Sequence, residues 1–281
     1  MSLRKLPEIK AERRLGPAQF DMRPDALERW EPEVRAAESG DNAISIYDPI
    51  GENWEGTGVT AKRISAALRS IGQKDVVVNV NSPGGDFFEG VAIYNLLREH
   101  QAKVTVNVMG LAASAASVIA MAGDEVLMGD GSFLMIHNAW AVAIGNRHDM
   151  AEASKLLEPF DTAMAKVYSD RAGITLEEAA AMMDDETWIG ADEAIELGFA
   201  EGHLDGRAIT KDAKQTGGRK ALALVEAAMA KAGHSRSMRR DTLRNLFSGK
   251  PSAADPAMPS AGDDYSASLR NTLTTLTGAT Q

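Results

Sequence analysis

The chain has 281 residues, of which 44% are hydrophobic, enough for one large domain with appendages and too many for a wholly disordered protein. It contains no cysteine, which excludes a disulfide framework, a thiolate nucleophile and a cysteine metal site. The net charge of −10 is uneven: residues 1–205 carry 18 Lys and Arg against 34 Asp and Glu, whereas residues 206–250 carry 11 against 3. The acidic body argues against nucleic acid as a partner, while the basic stretch suits an acidic one.

MSLRKLPEIKAERR, at the start, is charged and lacks the apolar core of a secretory signal. No apolar run approaches the roughly 20 residues of a bilayer span. The expectation is a cytoplasmic protein with no membrane partner. Residues 1–40 form a lead with little periodicity beyond DALERW, which predicts a short helix. AISIYDPIG (43–51) reads as a strand broken by Pro49 and Gly51. TAKRISAALRSIG (60–72) has apolar residues at helical spacing, with Gly72 placed to end the helix. DVVVNVNSPGGD (75–86) is a β-branched strand entering a Pro-Gly-Gly turn; FEGVAIYNLLREH (88–100) is the next helix and KVTVNVMG (103–110) the next strand. AASAASVIAMAG follows as a helix of small residues, then EVLMGD and SFLMIHNAW as strands. This βαβ rhythm predicts an α/β fold whose crossover helices cover a largely parallel sheet.

From Met150 to Arg171 the apolar residues Leu156, Leu157, Phe160, Met164, Val167 and Tyr168 recur at three- and four-residue spacings, predicting one long amphipathic helix stopped by Gly173. TLEE (175–178) has the form of a capping box, Thr175 with Glu178, and ADEAIELGFAE supplies a last core helix ending at Gly198. Beyond Gly206, KQTGGRK reads as a linker, ALALVEAAMAKAG and RRDTLRNLF as basic helices, and SGKPSAADPAMPSAGDDYSAS as low-complexity chain. The division is thus a lead over 1–40, a domain over 41–205 and an extension over 206–281. The extension is basic first and low in complexity after, partly helical or disordered.

Three features stand at strand ends, where an open α/β sheet places its site. In NSPGGD, Gly84 and Gly85 let backbone N–H groups face an anion, although a tight turn alone explains them. Ser114 follows a strand and opens a helix, where the N–H of Ala115 is available to a developing oxyanion; taken alone it is equally a packing residue, as Ser117 is expected to be. His137 closes an apolar strand, the one histidine of five in such a rigid setting, and a serine needs a base of that kind. Asp184, Asp185 and Glu186, just before Trp188, offer a carboxylate to orient the imidazole, or else an acidic turn.

In order along the chain, NSPGGD, GVAIYN, GLAAS, LMIH and ADEAIELGFAE resemble the proteolytic subunit of the Clp proteases over residues 43–202. The resemblance implies a spiral of βαβ units of the kind shared with the crotonase fold, with the 150–171 helix as a handle and a C-terminal extension. It implies a serine endopeptidase, fed or not by an ATPase partner, with Ser114 as nucleophile, His137 as general base, and Gly85 and Ala115 as oxyanion donors. Ser82, Pro83, Gly84 and Asp86 then belong to the loop that binds the substrate peptide as an added strand. The family's acid, an aspartate, stands two residues before an aromatic. Here that position is Glu186, whose extra methylene changes the reach, and Asp185 is the alternative after a one-residue shift. The resemblance further implies a homo-oligomeric ring through the 150–171 helix, protein or peptide substrates, and neither cofactor nor metal.

TWIGADEAIELGFAE, GLAASAASVIAMAGD and the lead containing Trp30 resemble more specifically the phage head maturation proteases, which implies capsid or scaffold substrates. Two other readings stand beside this one. A crotonase-type acyl-CoA enzyme needs no serine–histidine pair, and a non-catalytic capsid-assembly scaffold keeps the fold without the chemistry. The basic extension is expected to tether the chain to an acidic partner or to be cleaved itself.

Overall fold

A computed structural model describes residues 19–247 apart from 21, 39, 144 and 212–217. Most of the expected linker and all of the low-complexity stretch lie outside the described residues. The described residues up to Arg244 belong to one compact unit.

The lead supplies β1 (Gln19–Phe20), α1 (Pro24–Arg29) and β2 (Val34–Ala36). The core follows with β3 (Ala43–Ile46), α2 (Ala61–Ile71), β4 (Val76–Ser82), α3 (Phe87–Arg98), β5 (Val104–Ala113) and α4 (Ala115–Ala120). Next come β6 (Glu125–Met128), β7 (Phe133–Met135), β8 (Ala141–Val142) and α5 (Arg147–Ala172). Then α6 (Leu176–Asp184), β9 (Trp188–Gly190), α7 (Ala191–Glu196) and β10 (Gly202–His203) close the core. Beyond it lie β11 (Ile209–Lys211), α8 (Arg219–Lys231) and α9 (Arg236–Phe247).

The sheet runs β10-β6-β5-β4-β3 with parallel neighbours, as the apolar strands and intervening helices require. Val78, Val80, Val106, Val108 and Val126 are fully buried at its centre. β5 is long enough to serve two partners in turn. Residues 105–108 pair with β6, and Leu111–Ala113 pair with β7, which in turn pairs antiparallel with β9. This handover winds the strands into a spiral and carries the end of β5 away from β6 toward β7.

The β4–β5 register shifts between Val80 and Ser82, and Asn81 fills the irregularity. Its Oδ1 accepts from Leu111 N at 3.1 Å, and its Nδ2 donates to Glu31 O and Val34 O. The Trp30 indole N–H donates to Asn81 O at 2.9 Å, so one buried amide ties the lead to the sheet. Trp30, Leu27, Ala26 and Met22 form a second small core with Leu111, Ala113, Met135 and Ala223.

The helix ends expected from sequence are present. Gly72 at φ +76 ends α2, which Thr60 caps at its start, the Thr175–Glu178 capping box opens α6, and Gly173 at φ +71 ends α5. α5 begins three residues before the expected Met150 because Asn146 and Asp149 form a second capping box. Its C-terminal half buries Phe160, Met164, Val167 and Tyr168 in the core, whereas no residue of its first half is buried.

Candidate active site

The site grows from the end of β5. Ala113 pairs with Met135 across β5–β7, and Ser114 N donates to Met135 O at 2.9 Å, so Ser114 is fixed one step past the ladder. Its backbone sits at φ +56 and ψ −124, one of the two positive-φ non-glycine residues among those described. Such a backbone costs about 1–3 kcal/mol and persists where surrounding structure imposes it. Here the ladder on one side and α4 on the other do so. The hydroxyl does not cap α4, and the residue is half-buried.

Gly84 lies against this serine. A Cβ on Gly84 would stand 2.6 Å from both the Ser114 Cβ and the Ala113 carbonyl, so only glycine permits the approach. Gly85, at φ +144, forms a parallel bridge with Ile50: Ile50 N donates to Gly84 O at 2.8 Å and Asp86 N to Ile50 O at 2.9 Å. In that pattern the N–H of Gly85 is directed away from Ile50. Ala115 opens α4, where a first-turn N–H has no intrahelical acceptor. Ser82 Oγ donates to Asp48 O and accepts from Gly84 N, and Pro83 is buried, which holds the loop rigid. Asp86 caps α3 through the N–H groups of Phe88 and Glu89, and its other oxygen is paired with Arg236 of α9.

His137 follows β7 by two residues. The antiparallel register sets Met135 against Trp188, and Ile136 N donates to Thr187 O at 3.1 Å. The imidazole is 4% exposed, and its Nε2 has no hydrogen-bond partner among the described residues, so it is not bonded to Ser114 Oγ in this conformation. Burial first, and then the charge of Arg23, push its pKa down to about 4; Asp25 acts in the opposite direction. The ring is therefore neutral at physiological pH.

The three acidic candidates separate in space. Asp184 accepts from Asn138 Nδ2 at 2.6 Å, and Asp185 is the C-cap of α6. Glu186, at φ +51, gives both of its oxygens to Arg23, at 2.5 Å each. Ser117 is fully buried, as a packing residue should be: its hydroxyl lies 2.7 Å from Ser114 O and 3.0 Å from Met135 O, its acceptors, and takes a hydrogen bond from Tyr168 at 2.9 Å. Ser117 thus braces the strained turn from beneath.

Arg23 and Arg236 are the site neighbours that sequence reasoning missed. They lie 163 and 150 residues from their carboxylate partners, and no local pattern links them. The basic balance of 206–250 was the one available signal, and its partner is the body of the same chain. Arg219 pairs with Asp48, Arg236 with Asp86 and Arg240 with Glu52. No group of three or more His, Asp or Glu residues placed to hold a metal occurs among the described residues, and none of their helices is long and apolar enough to cross a membrane.

A family model described as Clp protease matches residues 41–205. The ATP-dependent Clp protease proteolytic subunits of Streptococcus pneumoniae strains Hungary19A-6 and CGSP14 are each 29% identical over 165 residues, covering 57% of this chain and 83% of theirs. The solved structure of a ClpP1 point mutant from Listeria monocytogenes aligns with a TM-score of 0.50 at 21% identity, over 59% of this chain and 93% of that one. At that identity the structural match speaks to the fold, which is ClpP-like.

Proposed function

The chain belongs to the Clp protease family, and from that premise we propose that it is a serine endopeptidase working through Ser114, His137 and Glu186. The observation that carries this reading is the backbone of Ser114. A serine held at φ +56, with Gly84 pressed against its Cβ, is strain with no structural use apparent at that residue.

In the proposed reaction, Ser114 Oγ attacks the scissile carbonyl as His137 Nε2 takes its proton. The carbonyl oxygen becomes an oxyanion facing the N–H groups of Gly85 and Ala115, each worth about 3 kcal/mol by comparison with other oxyanion donors. Collapse breaks the C–N bond, the amine leaves with the proton from His137, and water repeats the sequence to release the acid and restore Ser114. Glu186 orients the imidazole and stabilises its charged form. Its place two residues before Trp188, where the family's acid stands, favours it over Asp185. Ser82, Pro83, Gly84 and Asp86 shape the loop along which the peptide adds as a strand.

The first half of α5, in which no residue is buried and Met150 is exposed, supports assembly into a homo-oligomeric ring. We assign the substrates to capsid or scaffold proteins of a phage head. The stretches around Ser114 and Trp188 and the segments flanking 41–205 support this. Treatment with a fluorophosphonate is expected to modify Ser114 alone. Ser114→Ala is expected to lose both the adduct and peptide hydrolysis, the latter by about 10⁴-fold or more, with its melting temperature unchanged. A folded protein that takes no adduct under any condition would be the scaffold of the alternative reading. Co-expression with phage capsid and scaffold proteins tests the substrate: their fragments appear with the wild type and are absent with Ser114→Ala.

A further inference from the structure

The lead runs through the proposed site in the manner of a ligand. Gln19–Phe20 adds an antiparallel strand to Ala141–Val142, with Phe20 opposite Ala141 and Gln19 opposite Val142. Ala141 lies four residues beyond His137, and strand addition is the way an extended peptide binds an exposed edge. Two residues further along the lead, Met22 is buried in the second core, and Arg23 then takes both oxygens of Glu186. Arg29 finishes the segment over the ring of Trp188, 4.3 Å from its centroid. One stretch of about ten residues therefore reaches the strand after the base, the carboxylate of Glu186 and the ring of Trp188.

The extension holds this stretch down. α8 packs on α1, with Ala223 joining Ala26, Leu27 and Trp30, and Lys220 bonds the Glu28 carbonyl. Arg219, Arg236 and Arg240 pin α8 and α9 to Asp48, Asp86 and Glu52, on the two segments that meet at the Ile50–Gly85 bridge. The space left between them is a cavity of about 340 Å³ lined by Ile50, Gly51, Gly85, Leu222 and Ala223.

We infer, resting on the peptidase reading above, that the lead is an intramolecular pseudosubstrate and that α8–α9 latch it in place, so that the chain as folded here is latent. Two effects make it so. The strand edge at Ala141–Val142 is already paired and closed to a substrate. Arg23 also puts a fixed cation beside a base that must become a cation in the reaction, while holding the carboxylate meant to stabilise that cation. Activation consists of displacing the lead, by an incoming protein or by assembly, and the ion pairs of the latch make that displacement reversible.

The test compares full-length wild type, Arg23→Gln, and the triple variant Arg219→Gln/Arg236→Gln/Arg240→Gln. Fluorophosphonate labelling of Ser114 reports the open site, and hydrogen exchange over the Ala141–Val142 segment, one amide of which faces the lead, reports the lead. Labelling rate scales with the fraction of molecules in the competent state, so both variants should label about tenfold or more faster than wild type. Protection in that segment should fall in parallel. Equal, rapid labelling of all three proteins overturns the latch and leaves the peptidase intact. Amides that keep full protection in both variants overturn it too, since these arginines then hold nothing closed. Amides that lose protection while Ser114 stays unlabelled defeat both the latch and the peptidase.

Discussion

The core over 41–205 and the segments flanking it are held by different physics. The core is a parallel sheet of fully buried valines under helices that present apolar faces, and its stability comes from removing those faces from water. The flanking segments add two small clusters, one around Trp30 and one joining Val34, Ala36 and Ile209 to Tyr47 and Met109, and they draw on arginines that reach carboxylates of the core. A buried valine sheet tolerates little rearrangement, whereas exposed ion pairs break at small cost and respond to salt. A rigid part thus carries the strained serine, and a part held in good measure by ion pairs meets the core at Glu186, Asp48, Asp86 and Glu52.

Trp30→Ala tests that division with the largest expected effect on stability. Trp30 is fully buried and donates to Asn81 O, the same residue that satisfies the β4–β5 irregularity. Loss of so large a buried side chain is expected to cost about 3–5 kcal/mol, or roughly 10 °C in melting temperature for a unit of this size. If the lead and core unfold together, calorimetry shows one transition shifted down. A new transition at low temperature, with the original one in place, would show that the flanking segments are a separate cooperative unit.

His137 lies where the two parts meet and reports on both. Its folded pKa is depressed to about 4, so the neutral ring favours the folded state. That contribution is fully present above the unfolded value near 6.5 and is lost as pH falls toward 4, because the unfolded chain takes up a proton that the buried ring refuses. The total is ~3 kcal/mol. Denaturant unfolding at pH 7.5, 6 and 5 should show the loss in wild type, a smaller one in Arg23→Gln, and none of this component in His137→Asn.

The same contrast explains what was legible in the sequence. β4, β5 and the helices after them follow from hydrophobic periodicity, and Thr60, Gly173 and the Thr175–Glu178 box announce helix ends within a few residues. The Ser114, His137 and Gly85 positions were legible because each ends a strand, and strand ends in a parallel sheet gather at one edge. The covering of that edge was not legible. Gln19–Phe20 is too short to show alternation, and an arginine carries no mark of which carboxylate it will reach across more than a hundred residues. Nor does a sequence read strand by strand supply the β7–β9 register, which sets Trp188 against Met135 and so fixes the turn that holds Asp184, Asp185 and Glu186.

The smallest expected effect is the one that defines the flanking parts as releasable. Arg219 Nη1 stands 3.0 Å from both oxygens of Asp48, with the side chains 40% and 30% exposed. Water competes for both groups at that exposure, so the pair should couple by about 1 kcal/mol or less. A double-mutant cycle with Arg219→Gln and Asp48→Asn, read by denaturant unfolding, measures it. The coupling should shrink from low salt to about 1 M, where the Debye length falls to roughly 3 Å. Melting of Trp30→Ala should be insensitive to the same change, because it removes buried apolar contact and not charge. A coupling of several kcal/mol that ignores salt would mean that α8 is welded to the 48–50 segment. The rigid and releasable parts would then be one.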